Sequence, residues 1–353
     1  MKQVNHIEME KLIEICYNKK IPLFVWGSVG IGKSDTVRLS AKNLAKKSGI
    51  EFSEDDIENG KFGFVDIRIS QLDPSDLRGL PSFDKGKTKW MPPSWLPTNP
   101  TGKGILFFDE LNLSAPSVQA ACFQLILDRR LGDYKLPNGW FIVAAGNRVE
   151  DNPRVFDMPS PLLNRFVHCE LKIPSSEEWT DWALKNQVDT RIISFLNFKP
   201  SLLFKYDAKM KDKSFPTPRS WVFVSTLVSG ETDEEIIYTL VSCGVGEGCA
   251  VEFGAFNKLQ RKIDLDAILK NPESTTKIKD IDLKYSLVSF IAEKYRSDRK
   301  LLGKILNVCD YLDPEFAILM LRFTKSANPK WLDDILKEKK WEDISKKYGK
   351  YLV

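Results

Sequence analysis

The residues with the clearest chemical meaning form a loop with the pattern GxxxxGK[ST], made of Gly27, Ser28, Val29, Gly30, Ile31, Gly32, Lys33 and Ser34. Glycines let backbone N–H groups approach phosphate oxygens closely, and the N-terminus of a following helix favours an anion. In this pattern the lysine reaches the β- and γ-phosphates, and the last hydroxyl holds Mg²⁺. The loop therefore predicts a site for ATP with Mg²⁺, with Ser34 as a metal ligand. An ordinary glycine-rich turn is the alternative, but an apolar strand precedes the loop and a helical pattern follows it.

Two adjacent carboxylates come directly after a second apolar run. Residues 105–108 contain no polar side chain, and Asp109 and Glu110 follow them. A buried strand that ends in acids delivers their carboxylates to the carboxyl edge of the sheet, beside the phosphate loop. We expect Asp109 to bind Mg²⁺ through water, and Glu110 to orient and polarise the attacking water. The alternative is a solvated strand end without a catalytic role.

The spacing of apolar residues predicts the elements that position these groups. It predicts helices over 7–19, 34–48 and 114–130, and strands over 21–26, 62–69, 105–108, 140–145 and 167–173. Strands that alternate with helices indicate an α/β fold, here a five-stranded parallel sheet of P-loop NTPase type that is covered on both faces. After Pro174 only helical patterns remain. We predict an α/β nucleotide-binding domain over 1–174, a helical domain over 175–270 and a C-terminal helical extension over 271–353.

Composition excludes several classes of protein. The 353 residues carry a net charge of +4, and 42% of them are hydrophobic, which is ordinary globular usage. No apolar run approaches the ~20 residues that span a bilayer, and the polar first ten residues lack the pattern of a secretory signal. The six cysteines form no CxxC pair, which is typical of reduced core residues and argues against a zinc site. We expect a cytoplasmic protein with no membrane span.

The small basic excess lies at the end of the chain. Residues 271–353 contain 17 Lys and Arg against 13 Asp and Glu, which accounts for the whole net charge of +4. The neutral remainder gives no electrostatic argument for a nucleic-acid partner. The basic and aromatic segment 85–90 favours a solvated hairpin or a loop facing a protein substrate over a nucleic-acid contact.

Together these motifs resemble those of AAA+ ATPases, in which a DE pair such as Asp109-Glu110 is typical. The run Ile-Val-Ala-Ala-Gly-Asn-Arg over 142–148 resembles the sensor 1 strand of that family. The resemblance implies that Asn147 helps to position the water against the γ-phosphate. A turn residue at the end of a strand is the alternative for Asn147.

Two further segments resemble AAA+ elements that carry an arginine. Ser-Pro-Leu-Leu-Asn-Arg-Phe over 160–166 resembles the segment with the arginine finger, which implies that Arg165 completes the site of a neighbouring subunit. Pro-Thr-Pro-Arg-Ser-Trp over 216–221 resembles sensor 2, which implies that Arg219 contacts the γ-phosphate from a helical lid. A surface charge and a plain helix start are the respective alternatives. Weaker candidates for the contact between subunits are Arg129, Arg130, Arg148 and Arg154.

Within AAA+ the chain is most similar to the MoxR-like branch, near the dynein-related ATPases. The likeness rests on segments 76–81, 90–97, 112–119 and 128–137, the last of which resembles a hairpin inserted before sensor 1. It covers residues 1–265 and makes 175–270 the lid. The resemblance implies a separate partner with a von Willebrand A-type domain, through which the function of this branch is usually expressed. No DxSxS motif of such a domain occurs in this sequence, so we expect that partner to be a different protein.

The resemblance implies an ATP-hydrolysing remodeller that assembles as a homo-oligomer, a hexameric ring, and acts on a partner protein. The alternative on the same core is a motor or loader that nucleic acid stimulates, as in helicase or restriction-linked relatives. A nucleotide-gated scaffold with slow turnover is a third possibility, and the complete set of catalytic residues argues against it.

Overall fold

Parallel strands form the core of the amino-terminal part of the protein. The structure, a computed structural model, describes residues 1–84, 86–151, 155–209 and 212–352. Its strands, in chain order, are β1 (Lys2–Val4), β2 (Leu23–Trp26), β3 (Phe52–Ser53), β4 (Phe62–Arg68), β5 (Leu80–Asp84), β6 (Lys87–Met91), β7 (Lys103–Asp109), β8 (Arg130–Leu131), β9 (Tyr134–Lys135), β10 (Gly139–Gly146) and β11 (Val167–Leu171).

Seven of these strands make one sheet in the order β1–β11–β2–β10–β7–β4–β3, with every neighbouring pair parallel. The five predicted strands form its centre, and this confirms the predicted P-loop NTPase class of α/β fold. The predicted strand number was too low, because β1 and β3 extend the edges. These two strands have three and two residues, too few for an apolar period to be recognised.

Apolar side chains explain why the central strands are buried. Ile105, Leu106, Phe107 and Phe108 of β7 are all 0% exposed, as expected for a strand covered on both faces. The covering helices of this region are α1 (His6–Lys19), α2 (Lys33–Lys47), α3 (Pro74–Arg78), α4 (Pro116–Asp128) and α5 (Ser160–Leu163). Two antiparallel hairpins, β5–β6 and β8–β9, lie outside the sheet. The second confirms the hairpin predicted before the sensor 1 strand.

The chain divides into two compact units. The first comprises 1–173 and 207–209, and the second comprises 174–206 together with the described residues after 209. All regular elements among the described residues of the second unit are helical. Its α-helices are α6 (Ser176–Lys185), α7 (Thr190–Phe198), α8 (Pro218–Val228), α9 (Glu234–Val245), α10 (Glu247–Lys258), α11 (Leu265–Lys270), α12 (Ile281–Ser297), α13 (Leu302–Val308), α14 (Pro314–Ala327), α15 (Trp331–Ile335) and α16 (Trp341–Tyr348).

One hydrophobic core runs through the second unit. It joins Trp179, Phe195 and Trp221 of the predicted lid range to Phe316 and Ile344 of the predicted C-terminal extension. Burial of large side chains on both sides of residue 270 means that the two ranges stabilise each other. The division into three domains stays a prediction.

The described residues contain no helix that is long and apolar enough to cross a membrane. Five of the six cysteines are buried, as expected for core residues: Cys16, Cys122, Cys169, Cys249 and Cys309. Cys243 is exposed and so departs from the expectation that the cysteines are core residues.

Candidate functional site

Three adjacent strands deliver polar groups to one edge of the sheet. The phosphate loop follows β2, Asp109 ends β7, and Asn147 follows β10, which lies between the other two strands. The register aligns Trp26 of β2 with Gly146 of β10. Because the carboxyl ends of parallel strands meet at the same edge, groups far apart in the sequence share one site.

The phosphate loop has the backbone that its glycines were expected to permit. Gly30 and Gly32 have φ angles of 68° and 94°, a left-handed region that side chains with a Cβ rarely adopt. Helix α2 begins at Lys33, so its free N–H groups face the loop. A ring nitrogen of His6 lies 2.8 Å from the carbonyl oxygen of Ile31 and holds the far side of the loop. This geometry suits a polyphosphate.

The Lys33 side chain lies within the loop. Its Nζ donates to the carbonyl oxygens of Gly27 and Ser28, each at 2.8 Å, and to Oδ1 of Asn147 at 3.1 Å. The residue is only 8% exposed, so these acceptors offset the cost of burying an ammonium group. The phosphate-binding lysine and the sensor 1 asparagine predicted from the sequence are therefore in direct contact.

The two predicted metal ligands also meet. Ser34 Oγ donates to Asp109 Oδ2 at 3.0 Å. A hydroxyl and a carboxylate are hard oxygen donors, which suit Mg²⁺, and Mg²⁺ in nucleotide sites takes its remaining ligands from water and phosphates. Within the described ranges, no group of three or more His, Cys, Asp or Glu residues could hold a metal ion. Ser34 and Asp109 thus fit a magnesium ion that arrives with a nucleotide.

Asp66 is a second carboxylate near this point, on the neighbouring strand β4. Burial raises the pKa of its carboxyl to about 6, and the negative charge of Asp109 acts in the same direction. Arg38 and Arg68 oppose that rise. Asp66 was not among the predicted site residues, because one acid in a strand carries no signal of its surroundings.

Glu110 is held by a side chain that sequence reasoning missed. Ser70 Oγ donates to Glu110 Oε2 at 2.7 Å. Ser70 lies in the 3₁₀ turn Ile69–Gln71, directly after β4. The backbone of Glu110 has φ 56° and ψ 34°, a left-handed conformation that is strained for a residue with a Cβ. This strain and the bond to Ser70 together fix the direction of the Glu110 carboxylate.

Asn147 is positioned by a second missed residue, Asn112. The Asn112 amide donates from Nδ2 to the Asn147 carbonyl oxygen at 2.8 Å, and its Oδ1 accepts from the Asn147 N–H at 3.1 Å. Asn112 is 1% exposed and Asn147 is 7% exposed. Close packing leaves no room for a Cβ at Gly146, which would lie 2.6 Å from Asn112 Oδ1. The backbone of Asn147 is therefore fixed on both sides.

Arg148 is engaged within its own chain. It forms ion pairs with Asp151 at 2.8 Å and with Glu170 at 3.3 Å, and its guanidinium donates to Ser28 Oγ. Ser28 in turn donates to Asp151 Oδ2 at 2.6 Å. This network links the phosphate loop to the segment after β10. It argues against Arg148 as the residue that reaches a neighbouring subunit.

Arg165 differs from Arg129 and Arg148, whose side chains are engaged within their own chain. Its side chain is exposed, and it forms no hydrogen bond or ion pair with the described part of the chain. Arg129, in contrast, donates to the carbonyl oxygens of Pro137 and Trp140, each at 2.8 Å, and so has a structural role. Arg130 in β8 is exposed and, like Arg165, its side chain forms no hydrogen bond or ion pair with the described part of the chain. Arg154 lies outside the described residues.

Arg219 lies in the second unit, near the start of α8. Thr217 caps this helix through a hydrogen bond from Ser220 N at 3.0 Å, and Pro218 is its first residue. The Arg219 side chain is exposed. The helix start predicted at this segment is confirmed, and the role of Arg219 as a sensor stays a prediction.

No protein-family model matches the sequence, and no curated protein is detectably similar to it. Among solved structures, the chain is similar to a protein from Cytophaga hutchinsonii described as an ATPase candidate, with 16% identity over 67% of this chain and 79% of that chain and a TM-score of 0.35. It is also similar to NtrX from Brucella abortus in complex with ATP, with 11% identity over 99% of this chain and 68% of that chain and a TM-score of 0.37. C. elegans PCH-2 is similar at 12% identity over 71% of this chain and 65% of that chain, with a TM-score of 0.29. Likenesses this weak do not indicate what the chain binds or catalyses, so its function rests on the geometry of the site.

Proposed function

We propose that this protein is an AAA+ ATPase of the MoxR-like branch, which binds ATP with Mg²⁺ at the phosphate loop and hydrolyses it. One observation carries the proposal. Lys33 contacts Asn147 at 3.1 Å, and Ser34 contacts Asp109 at 3.0 Å, so four predicted residues from three strand ends converge on one loop. A chance GxxxxGK[ST] match would not bring a carboxylate and an asparagine to the lysine and the serine.

Each of these groups has a defined task in the proposal. When bound, Mg²⁺ neutralises charge on the phosphates, with Ser34 and Asp109 as the residues that would hold it. Lys33 exchanges the two loop carbonyl oxygens for phosphate oxygens. The backbone N–H groups of the loop and of the start of α2 bind the rest of the polyphosphate.

Glu110 and Asn147 act on the attacking water. Glu110 accepts a hydrogen bond from that water and orients it for in-line attack. In the structure its Oε2 accepts from the hydroxyl of Ser70 at 2.7 Å, and this bond competes with the water for the carboxylate. Asn147, held by Asn112, supplies an amide beside Lys33 that fixes the water against the γ-phosphate.

The proposal includes assembly as a hexameric ring. It is supported by Arg165, which is exposed and has no hydrogen-bond or ion-pair partner among the described residues. A neighbouring subunit's nucleotide would engage this arginine, with the guanidinium stabilising charge on the transferring phosphoryl group. Arg219 would report the loss of the γ-phosphate through the helical unit. We place this ring in the cytoplasm.

The β5–β6 hairpin supports a protein as the remodelled partner. Leu80 is 74% exposed, Phe83 is 87% exposed and Met91 is 59% exposed, next to Lys87 and Lys89. Exposed apolar side chains on a short hairpin are typical of a surface that contacts another protein. A partner with a von Willebrand A-type domain is the form that the MoxR-like resemblance favours.

The Glu110→Gln variant tests the proposed function. It keeps the shape of the side chain but loses the carboxylate, so we expect ATP binding to persist while hydrolysis falls by about 10²-fold or more. Glu235→Gln is the matched control, because Glu235 is an exposed glutamate on α9 in the other unit. Nucleotide binding is measured by isothermal titration, hydrolysis by phosphate release, and assembly by sedimentation with ATP. Hydrolysis by Glu110→Gln at the rate of the parent protein would overturn the proposal.

The same variant addresses the nature of the partner. A Glu110→Gln ring with ATP bound should retain its partner through affinity purification, and we expect a protein. Stimulation of the parent ATPase by DNA or RNA, with a steep decrease as salt rises, would instead support the nucleic-acid motor.

A further inference from the structure

His168 has both of its ring nitrogens committed to hydrogen bonds. Trp26 Nε1 lies 3.1 Å from His168 Nδ1, and His168 Nε2 lies 2.7 Å from the carbonyl oxygen of Leu163. An indole N–H can only donate, and a carbonyl oxygen can only accept. Nδ1 therefore accepts from the indole, and Nε2 donates to the carbonyl oxygen.

These two bonds connect two parts of the proposed catalytic machinery. Leu163 is the last residue of α5, and Arg165 follows two positions later. Trp26 is the last residue of β2, and Gly27 begins the phosphate loop directly after it. The Leu163 carbonyl oxygen also accepts from the Phe166 N–H at 3.2 Å, so His168 adds a second hydrogen bond at the end of this helix. One side chain thus joins the turn that carries Arg165 to the root of the phosphate loop.

Aromatic packing makes this connection stiff. The Phe24 ring lies 4.3 Å from that of Trp26 and 5.4 Å from that of Phe166, measured between centroids. The Phe166 and His168 rings are 6.2 Å apart. Phe166 is 7% exposed, while the preceding Arg165 is exposed. The backbone of the turn is anchored, while the side chain of Arg165 is exposed.

We propose that His168 is a positioning residue for Arg165. It holds the Arg165 turn against the root of the phosphate loop, so that the guanidinium projects in the direction that a neighbouring subunit's nucleotide requires. His168 itself contacts no nucleotide in this arrangement. The inference rests on the proposed role of Arg165 between subunits.

Mixed rings test this inference. Arg165→Ala subunits keep an intact hydrolytic site but lack the finger, and Glu110→Gln subunits keep the finger but do not hydrolyse ATP. Mixing them should restore hydrolysis, because the second subunit supplies Arg165 to the first. Adding His168→Phe to the Glu110→Gln subunit keeps an aromatic ring but removes both hydrogen bonds. We expect it to reduce the restored rate by about 10-fold or more.

Two comparisons separate positioning from a merely structural role. His168→Gln offers one acceptor and one donor on a side chain of similar reach, so it should recover at least half of the restored rate. Placing His168→Phe on the Arg165→Ala subunit instead should lower the rate by less than about 2-fold, because that subunit supplies no finger. Trp26→Phe on the Glu110→Gln subunit removes only one of the two hydrogen bonds of His168, so it should reduce the restored rate by an intermediate amount. This variant replaces His168→Phe in the test if His168→Phe fails to fold.

The outcomes distinguish the two proposals. No restoration by Glu110→Gln subunits overturns the role of Arg165 between subunits, and the inference about His168 falls with it. If mixed rings hydrolyse ATP at the fully restored rate with either His168→Phe or Trp26→Phe on the Glu110→Gln subunit, the inference about His168 is overturned, while the role of Arg165 stands. An equal loss from His168→Phe on either subunit also overturns it, since that result indicates a general effect on folding or on the phosphate loop.

Discussion

Replacing Asn112 by alanine would remove the clamp on the backbone of Asn147. The Asn112 amide makes two hydrogen bonds to that backbone, at 2.8 and 3.1 Å, and both residues are buried. Asn112 therefore affects the site through the backbone of Asn147. Its substitution tests whether the position of the Asn147 side chain depends on these two hydrogen bonds.

The expected loss of stability follows from those contacts. Each lost hydrogen bond contributes about 1 kcal/mol net, and a buried backbone group left without a partner costs a further ~1–3 kcal/mol unless water replaces the amide. We expect Asn112→Ala to lower the free energy of unfolding by about 3 kcal/mol. At roughly 2–4 °C per kcal/mol for a unit of this size, the melting temperature should fall by about 6–12 °C.

We also expect Asn112→Ala to lower the rate of ATP hydrolysis. Release of the Asn147 backbone lets its side chain move away from Lys33, so we expect kcat for ATP hydrolysis to fall about 10-fold while nucleotide binding changes little. Circular dichroism melting and steady-state phosphate release below the melting temperature measure the two effects. Asn186→Ala is the matched control, because Asn186 is exposed and its side chain donates to the nearby Trp182 carbonyl oxygen. If Asn112→Ala melted within about 1 °C of the parent with the same kcat, Asn112 would not be the support of Asn147.

Three further changes have defined outcomes. Ser70→Ala removes the hydrogen bond that competes with water for the Glu110 carboxylate, so the basal rate of hydrolysis should rise several-fold. Ser70→Thr keeps the hydroxyl and should hydrolyse ATP at a rate near that of the parent. A fall in both kcat and nucleotide binding in Ser70→Ala would show that Ser70 instead supports the site. Gly146→Ala places a Cβ 2.6 Å from Asn112 Oδ1, so it should destabilise the protein by about 1–3 kcal/mol in urea denaturation, and an unchanged midpoint would contradict that packing. Asp66→Asn tests the dependence of stability on pH. The pKa of the Asp66 carboxyl is about 6 in the folded protein and 3.8 in the unfolded chain. The charged carboxylate therefore destabilises the folded state above pH 6, and this destabilisation disappears as the pH falls toward 4. Because the Asp66 side chain is 29% exposed, we expect the destabilisation to be about 1 kcal/mol. Without metal, Asp66→Asn should be more stable than the parent by about that amount at pH 8 and by less at pH 5. An equal difference at both pH values would contradict the raised pKa of Asp66.

The sequence was most informative where function is encoded in a contiguous run. Lys33 and Ser34 lie in one motif, and Asp109 ends an uninterrupted apolar strand, so each could be placed at the sheet edge from residue order alone. Asn147 and Arg165 were recognised by resemblance to a family pattern. The fold places Asn147 beside Lys33 and leaves Arg165 exposed, and the catalytic roles of both stay proposals.

The supporting residues could not be predicted in this way. Ser70 reaches Glu110 across 40 residues of sequence, and Asn112 reaches Asn147 across 35. A polar residue in a loop has many possible partners, and neither apolar periodicity nor turn chemistry specifies which buried backbone group it satisfies. Arg148 illustrates the same limit, since its cluster of acidic partners forms only after the strands align.

The continuous core of the second unit restricts how its helices can move. Because helices on both sides of residue 270 bury side chains in the same cluster, they cannot move apart without exposing residues such as Phe316 and Trp221 to water. Any motion of the second unit would therefore include its final helices, because the shared core holds them to the rest of that unit. A fragment that stops at residue 270 would expose one side of its own hydrophobic core, so we expect it to aggregate.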